Sequence, residues 1–338
     1  MIERKGILAA GNWIIDEIKV IDEFPHQDGL ANILAEKNNN GGSPYNLLKD
    51  LSYLDAPFPL QASGLVGNDE KGAHILEDCR KCGIDTGQLL QTDGASTSYT
   101  AVMSVMSTGR RTFFHQRGAN ALFGPEHIDF GLSDAKIFHM AYLLLLDRMD
   151  QLEVDGRTVA SRVFELARQR GFITSTDIVS EASNRFAALV PPCLPYIDYL
   201  FLNEYEAFKL TGIDCTPSGA VDLGLAEQAA HSVFEMGVSM LVILHFPEGA
   251  MAYGTQSGTV VQPSVMLPPE LIKGSAGAGD AFAAGVLLGL HEDYGIQTCL
   301  ELGVCAAAAS LFDESCSTGL EAAGSVTGLG QRYGFRSL

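Results

Sequence analysis

The chain has 338 residues, 46% of them hydrophobic, and a formal charge of −19 from 41 acidic and 22 basic side chains. That is enough apolar material for a large core built as one α/β domain, and the acidic excess argues against nucleic acid or an anionic membrane surface as partner. Seven scattered cysteines, an odd number, argue against a secreted disulfide framework.

The first apolar run, residues 7–10, reads as a strand. Asp16 follows it, near the strand's C-terminal end, where open α/β sheets bind their ligands. A carboxylate there can accept two hydroxyl hydrogen bonds, as sugar recognition requires, although a solvated loop acid is the plainer alternative. Residues 14–24 with 30–35 form a hairpin-like arm of mixed polarity. Gly41 and Gly42 permit positive φ or close backbone approach to a ligand. Pro44 then suits a first helical turn, which leaves Asn46 within that turn; a tight turn before a helix explains the same residues.

Helical patterns are expected over 44–54, 70–82, 157–170, 204–211 and 225–236, alternating with strands at 137–142, 172–176, 197–202 and 240–244. Near-continuous apolar strands separated by helices indicate a parallel sheet covered on both faces. Cys79 and Cys82 fall in the second helix and read as reduced residues, because no second CxxC accompanies them to make a zinc site. A second arm, 99–106 with 112–116, has Gly109, Arg110 and Arg111 as its turn, with at least one arginine as surface charge. Asn203 and Glu206, three apart at a helix start, could both point into one crevice near magnesium and phosphate, or form a helix cap, or do both. Asp177 is a further candidate for that edge. A late hairpin is expected from 250–253 with 259–262, and the small-residue helix 296–312 is core.

The stretch from Lys273 to Gly285, Lys-Gly-Ser-Ala-Gly-Ala-Gly-Asp-Ala-Phe-Ala-Ala-Gly, says most about chemistry. A glycine-rich loop opening a buried helix exposes backbone N–H groups where the helix's partial positive charge favours an anion. Asp280 beside such a cradle suggests a general base working on a hydroxyl while the amides hold a phosphoryl group; the plain alternative is an ordinary helix-start acid. No Gly-x-Gly-x-x-Gly follows the first strand, which disfavours a dinucleotide-dependent oxidoreductase. No Walker Gly-x-x-x-x-Gly-Lys-Ser/Thr occurs either, so an ordinary P-loop kinase is disfavoured too.

Gly277-Ala278-Gly279-Asp280 with the following Ala-Phe-Ala-Ala-Gly resembles the second signature of the PfkB (ribokinase-like) family of carbohydrate and nucleoside kinases. Five further landmarks resemble that family in order: Gly11 to Asp16, Asn40 to Asn46, Gly64 to Gly72, Gly118 to Ala121, and Asn203 to Glu206. The resemblance runs from about residue 8 to about residue 311. It implies a three-layer α/β/α domain over 1–338 with a mostly parallel central sheet, and a small β lid built from about 14–37 and 97–117. It implies Asp280 as general base with Gly277, Ala278 and Gly279 as anion hole. Asp16, Asn12, Gly41, Gly42, Asn46 and Asn120 would bind the acceptor. Asn203, Gly249, Ser275, Gly277 and Gly279 would bind ATP, with Mg2+ near Asn203 and Glu206, held through water. The loop 315–318 would lie near the nucleotide base.

Departures from the family pattern matter as well. Gly274-Ser275 stand where an Asp-Thr is common, and since that aspartate often helps hold a monovalent cation, potassium activation is not carried over. Leu244 to Gly249 keep only the last glycine of the usual nucleotide-loop motif, and Phe246 could crowd or restack the nucleotide. Ser43 stands where ribokinases often carry lysine. The reading is an ATP-dependent kinase of a hydroxyl on a small sugar-like molecule, with two alternatives: a nucleoside kinase, and a catalytically silent ligand-binding homologue. A cytoplasmic location and a homodimer through the lid are the accompanying expectations.

Overall fold

The computed structural model describes residues 4–181, 184–313 and 315–338. Thirteen strands occur among them: β1 (Ile7–Gly11), β2 (Ile14–Ile21), β3 (Ile33–Gly41), β4 (Leu60–Gly67), β5 (Asp85–Thr92), β6 (Ser98–Val105), β7 (Arg111–Gln116), β8 (Ile137–Ala141), β9 (Ile173–Thr176), β10 (Tyr199–Asn203), β11 (Leu241–Phe246), β12 (Gly249–Gly254) and β13 (Gly258–Pro263). Nine of them build one sheet in the order β13-β12-β11-β10-β9-β8-β1-β4-β5, parallel from β11 to β5 and antiparallel at β12 and β13. Every residue of β1 is buried, as a central parallel strand covered on both faces requires.

Two hydrophobic cores flank this sheet. Ile7 and Ala9 face one, with the helices Ser43–Tyr53, Glu70–Lys81, Ala278–His291 and Ile296–Ser310. Leu8 and Ala10 face the other, with Val159–Gln169 and Leu223–Glu235. The arrangement is the three-layer α/β/α expected. The order reverses at β1: the chain leaves it towards β4 on one side and later returns through β8 on the other. Such a reversal opens a crevice beyond the strands' carboxyl ends.

Over that crevice stands a second sheet of four strands, order β3-β2-β6-β7. The hairpins β2/β3 and β6/β7 are antiparallel, and β2 runs parallel to β6 with Asp16 opposite Thr100. Both arms are present, and β3 extends beyond the expected 30–35 to Gly41, so it includes the asparagine run at 38–40. Arg111 likewise opens β7 and does not sit in the turn; Arg110 is the exposed one of the pair.

The strand β4 was not expected as such, and its reason is Gly64. A Cβ there would lie 2.1 Å from the indole nitrogen of Trp13, whose ring is fully buried and donates to the Ser63 carbonyl at 2.9 Å. A central strand thus carries a residue that ordinarily weakens one. The edge strand β5, with its Gly87 and several polar residues, and the glycine-bearing helix Ala323–Tyr333 escaped sequence reading for similar reasons. No helix among the described residues is long and apolar enough to cross a membrane.

Candidate active site

The helix Ala278–His291 begins at Gly277, which adopts φ 77°. A side chain there would meet the Cβ and carbonyl oxygen of Cys316 at 2.7 Å, so both conformation and space demand glycine. The Ala278 amide donates weakly to the Ser275 carbonyl at 3.5 Å, and the Ala281 amide closes the first helical bond to Gly277. The intervening amides of Gly279 and Asp280 belong to the first turn, where N–H groups have no intrahelical acceptor. A Cβ on Gly279 would come 3.4 Å from the His245 ring. Burial keeps that imidazole neutral, its pKa lowered to about 4.

Asp280 is the third residue of this helix and is buried. The Asn46 side-chain amide donates to its Oδ2 at 2.8 Å, and the Tyr142 hydroxyl donates at 2.9 Å to each carboxyl oxygen. Burial raises the Asp280 pKa, and the donors Asn46, Tyr142 and Ser43 pull it back down. Asn46 is oriented in turn: Asn40 donates to its Oδ1 at 2.6 Å, and Lys49 donates to the Asn40 Oδ1 at 3.3 Å. Lys49 is anchored on Asp78 at 2.7 Å, which also accepts from the Tyr45 hydroxyl. A hydrogen-bonded chain therefore runs from the helix Glu70–Lys81 through Ser43–Tyr53 to Asp280. Asp50, fully buried one turn past Asn46, is pushed well up by burial and, less so, by the charge of Asp280.

Asp16 projects from β2 towards the same space. Its pKa is raised to about 7 by burial, opposed by a hydrogen bond from Thr100 and raised further by Asp280. Thr100 also pairs with Nδ1 of His115 at 3.1 Å. A Cβ on Gly41 would overlap the Asp16 carboxylate at 2.6 Å, and Gly42, at φ 86°, leaves no room against the Asn12 carbonyl. These two glycines let helix Ser43–Tyr53 approach Asp16. A cavity of about 940 Å3 joins Asp16, Gly42, Asn46, Ser275, Gly277 and Asp280. Residues from both ends of the chain and its middle meet there.

Other expected site residues stand apart from this cavity. Asn12 accepts from the Tyr142 amide at 2.6 Å and donates to the Leu145 carbonyl; Asn120 exchanges hydrogen bonds with both backbone groups of Trp13. Their side chains hold the strand ends. Gly249 opens β12, packed on Gln262 and Pro263. Asn203 caps its helix and forms a reciprocal box with Glu206, and both bond to the Ser180 hydroxyl. Glu206 is buried and raised to about 7, chiefly by desolvation. Asp177 is raised by burial, then by Glu206 and by Asp280, so an acidic edge runs from Glu206 to the base of the cavity.

Phe246 does not face a nucleotide. Strand alternation turns it with Leu244 into the core, and it is His245 that faces the anion loop. The loop 315–318 lies behind the glycine-rich loop: Cys316 backs Gly277, and Ser317 accepts from Asn40. Cys79 and Cys82 are free thiols with raised pKa values, unfavourable for redox or metal chemistry.

Tyr142 was missed. It directly follows β8 at the order reversal, a position that strand ends alone mark as a site. Lys37, Thr100, Arg111 and His115 were missed as cavity residues, because only the pairing of the four-stranded sheet puts them on its inner face.

The geometry offers a buried, hydrogen-bonded carboxylate beside an amide cradle, facing a second carboxylate across a partly enclosed cavity. Comparison with known proteins gives the family and the fold. Residues 5–323 match the family described as pfkB family carbohydrate kinase. The chain is 24% identical to an ATP-dependent ribose-1-phosphate kinase of Halopiger xanaduensis, over 87% of this chain and 88% of that one. It is also 24% identical to a nucleoside kinase of Methanothermobacter thermautotrophicus, over 95% and 94%. In fold it superposes on a ribokinase from Thermotoga maritima with a TM-score of 0.78 at 19% identity, covering 97% of this chain and 99% of the other.

Proposed function

The chain belongs to the pfkB family of carbohydrate kinases and transfers phosphate from ATP to a small molecule; from that premise we propose that Asp280 is the general base for a hydroxyl of a sugar or sugar-like acceptor. The observation that carries this reading is the placement of Asp280 at the head of the amide cradle, facing Asp16 across one cavity. The acceptor O–H gives its proton to Asp280 as the acceptor oxygen forms its bond to the terminal phosphorus. The bridging P–O bond breaks, and ADP leaves with that electron pair. A raised pKa suits Asp280 to this work, since a base poised nearer neutrality transfers protons best.

The amides of Gly277, Ala278 and Gly279 stabilise charge on the transferring group, which is where most of the catalytic power of such sites comes from. Asp16 and Asn46 orient the acceptor, Gly41 and Gly42 make room for it, and Asn12 and Asn120 hold the strand ends that carry the site. Ser275 lies at the mouth of the loop for the ATP phosphates, with Asn203 and Gly249 on the nucleotide side.

Magnesium fits the acidic edge. Asp177 and Glu206 are mutually repelling and buried, a strain that a divalent cation relieves. Among the described residues no three such groups converge tightly enough to hold an ion alone, so Asn203 and Glu206 would act through water. When bound, magnesium supplies charge neutralisation on the phosphates.

The four-stranded sheet acts as a lid that excludes water, the competing phosphoryl acceptor. Apolar side chains left exposed on it, among them Leu34 and Phe114, support a homodimer through the lid. A nucleoside acceptor is the second reading, favoured by Phe113 and Met106 on the cavity wall.

The test is acceptor-dependent ADP release from ATP across a panel of sugars and nucleosides. Release with a sugar supports the first reading and release with nucleosides alone supports the second. Stabilisation by ligands without ADP release from any acceptor would instead mark a binding protein.

A further inference from the structure

The acceptor cavity is lined by three basic side chains, Lys37, Arg111 and Lys273, against two carboxylates, Asp16 and Asp280. This is the reverse of the chain as a whole, which carries 41 acidic and 22 basic residues. The cations are also ordered. On the inner face of the four-stranded sheet Asp16 lies level with Asn39 and Thr100, and Thr100 with His115. Lys37 lies opposite Ile18, two residues farther out along β2, and Arg111 opposite Ser104, level with Val20, four residues farther out. At about 3.3 Å per residue those backbone positions are roughly 7 and 13 Å beyond Asp16.

Lys37 and Arg111 come from the two edge strands, β3 and β7, so they approach the cavity from opposite sides. The Arg111 side chain turns inwards: its charge lowers the pKa of Asp16 and of Cys316, which backs Gly277. Among the described residues Arg111 makes no ion pair, whereas Arg117, Arg148 and Arg162 all do. The Arg111 guanidinium, held over a partly enclosed space, loses hydration, and a neutral sugar or nucleoside brings no charge to offset that. The planar guanidinium fork matches a phosphate or a carboxylate.

We propose that the acceptor already carries an anionic group, a phosphate or a carboxylate, seated between Lys37 and Arg111 while its reacting hydroxyl lies between Asp16 and Asp280. This inference rests on the kinase reading above and names the substrate class within it.

The experiment uses the full chain with Mg-ATP and matched acceptors: ribose, ribose 1-phosphate, ribose 5-phosphate, gluconate and adenosine. ADP release is measured on the parent and on the Arg111→Gln and Lys37→Gln variants, with thermal shift for each acceptor. The expected result is a kcat/KM at least 100-fold higher for a phosphorylated sugar or for gluconate than for ribose and adenosine, and the better of the two names the group. That preference should fall 10-fold or more in each variant, mainly through KM.

Turnover of ribose or adenosine equal to or better than the anionic members would overturn the proposal and leave the kinase reading standing. An equal fall for neutral and anionic acceptors in Arg111→Gln would overturn it as well, by assigning that arginine to the transferred phosphoryl group. ATP binding with neither turnover nor thermal shift for any anionic member also counts against it. Failure to bind ATP at all would remove the kinase reading itself.

Discussion

Asn46 and Asp280 are separated by 234 positions in the chain, and the amide of the first donates to the carboxylate of the second at 2.8 Å. The bond ties the double-glycine segment to the glycine-rich loop. It also fixes which way the carboxylate faces, because Asn46 is itself held by Asn40 and, through it, by Lys49. Substituting Asn46 with Ala leaves Asp280 with Tyr142 and Ser43 as donors. The expected outcome is a 10-fold or greater loss in kcat/KM with the fold intact by circular dichroism.

Tyr142→Phe separates positioning from catalysis. The hydroxyl donates to both Asp280 oxygens and so favours the ionised form. Its loss should therefore raise the Asp280 pKa further. The acid limb of the kcat/KM profile should move to higher pH, whereas a merely structural tyrosine would leave the limb in place.

Gly277→Ala tests the anion loop. The substitution puts a side chain on a left-handed residue, at a cost of about 1–3 kcal/mol, and drives a methyl into Cys316. Thermal midpoint and kcat should both fall; an active variant of unchanged midpoint would contradict the role given to this turn.

Stability should depend on pH in an unusual sense. Asp16 and Glu206 are raised to about 7 and Asp150 to about 6, burial being the first cause for each. A carboxyl whose pKa is raised in the fold favours the protonated form. Its contribution is therefore complete below the unfolded value near 4 and is lost as pH rises through 6 to 7. The nucleotide-free protein should melt several degrees higher at pH 5 than at pH 8, as read by calorimetry in one ionic strength. Asp50→Asn removes a further buried acid from the same group and should raise the pH 8 midpoint.

The lid dimer is tested on the outer face, away from the cavity. Phe114 lies opposite Ala101, whose other neighbour is Glu17, and it is exposed like Leu34. Leu34→Glu with Phe114→Glu should shift sedimentation from dimer to monomer. A parent that already sediments as monomer at micromolar concentration would remove the dimer from the account.

Much of this was legible because the glycines that make the site are local in sequence. Gly41, Gly42 and Gly277 each precede a helix, and the βα alternation follows from continuous apolar runs such as β1. What stayed hidden depends on pairing between distant segments. Gly64 disguises a central strand because the reason for it, Trp13, lies fifty residues away. Arg111 looked like turn charge until β7 paired with β6 and turned it inwards. Phe246 faces the core and His245 the anion loop because a one-residue difference in a strand selects the opposite face.

The most direct test of the account is kcat of Asp280→Asn, measured with the best acceptor at saturating ATP. A positioned general base contributes about 100- to 10,000-fold, so kcat should fall at least 100-fold in a variant whose thermal midpoint and ATP binding are retained. A folded, ATP-binding variant turning over at close to the parental rate would contradict the assignment of Asp280 as the base.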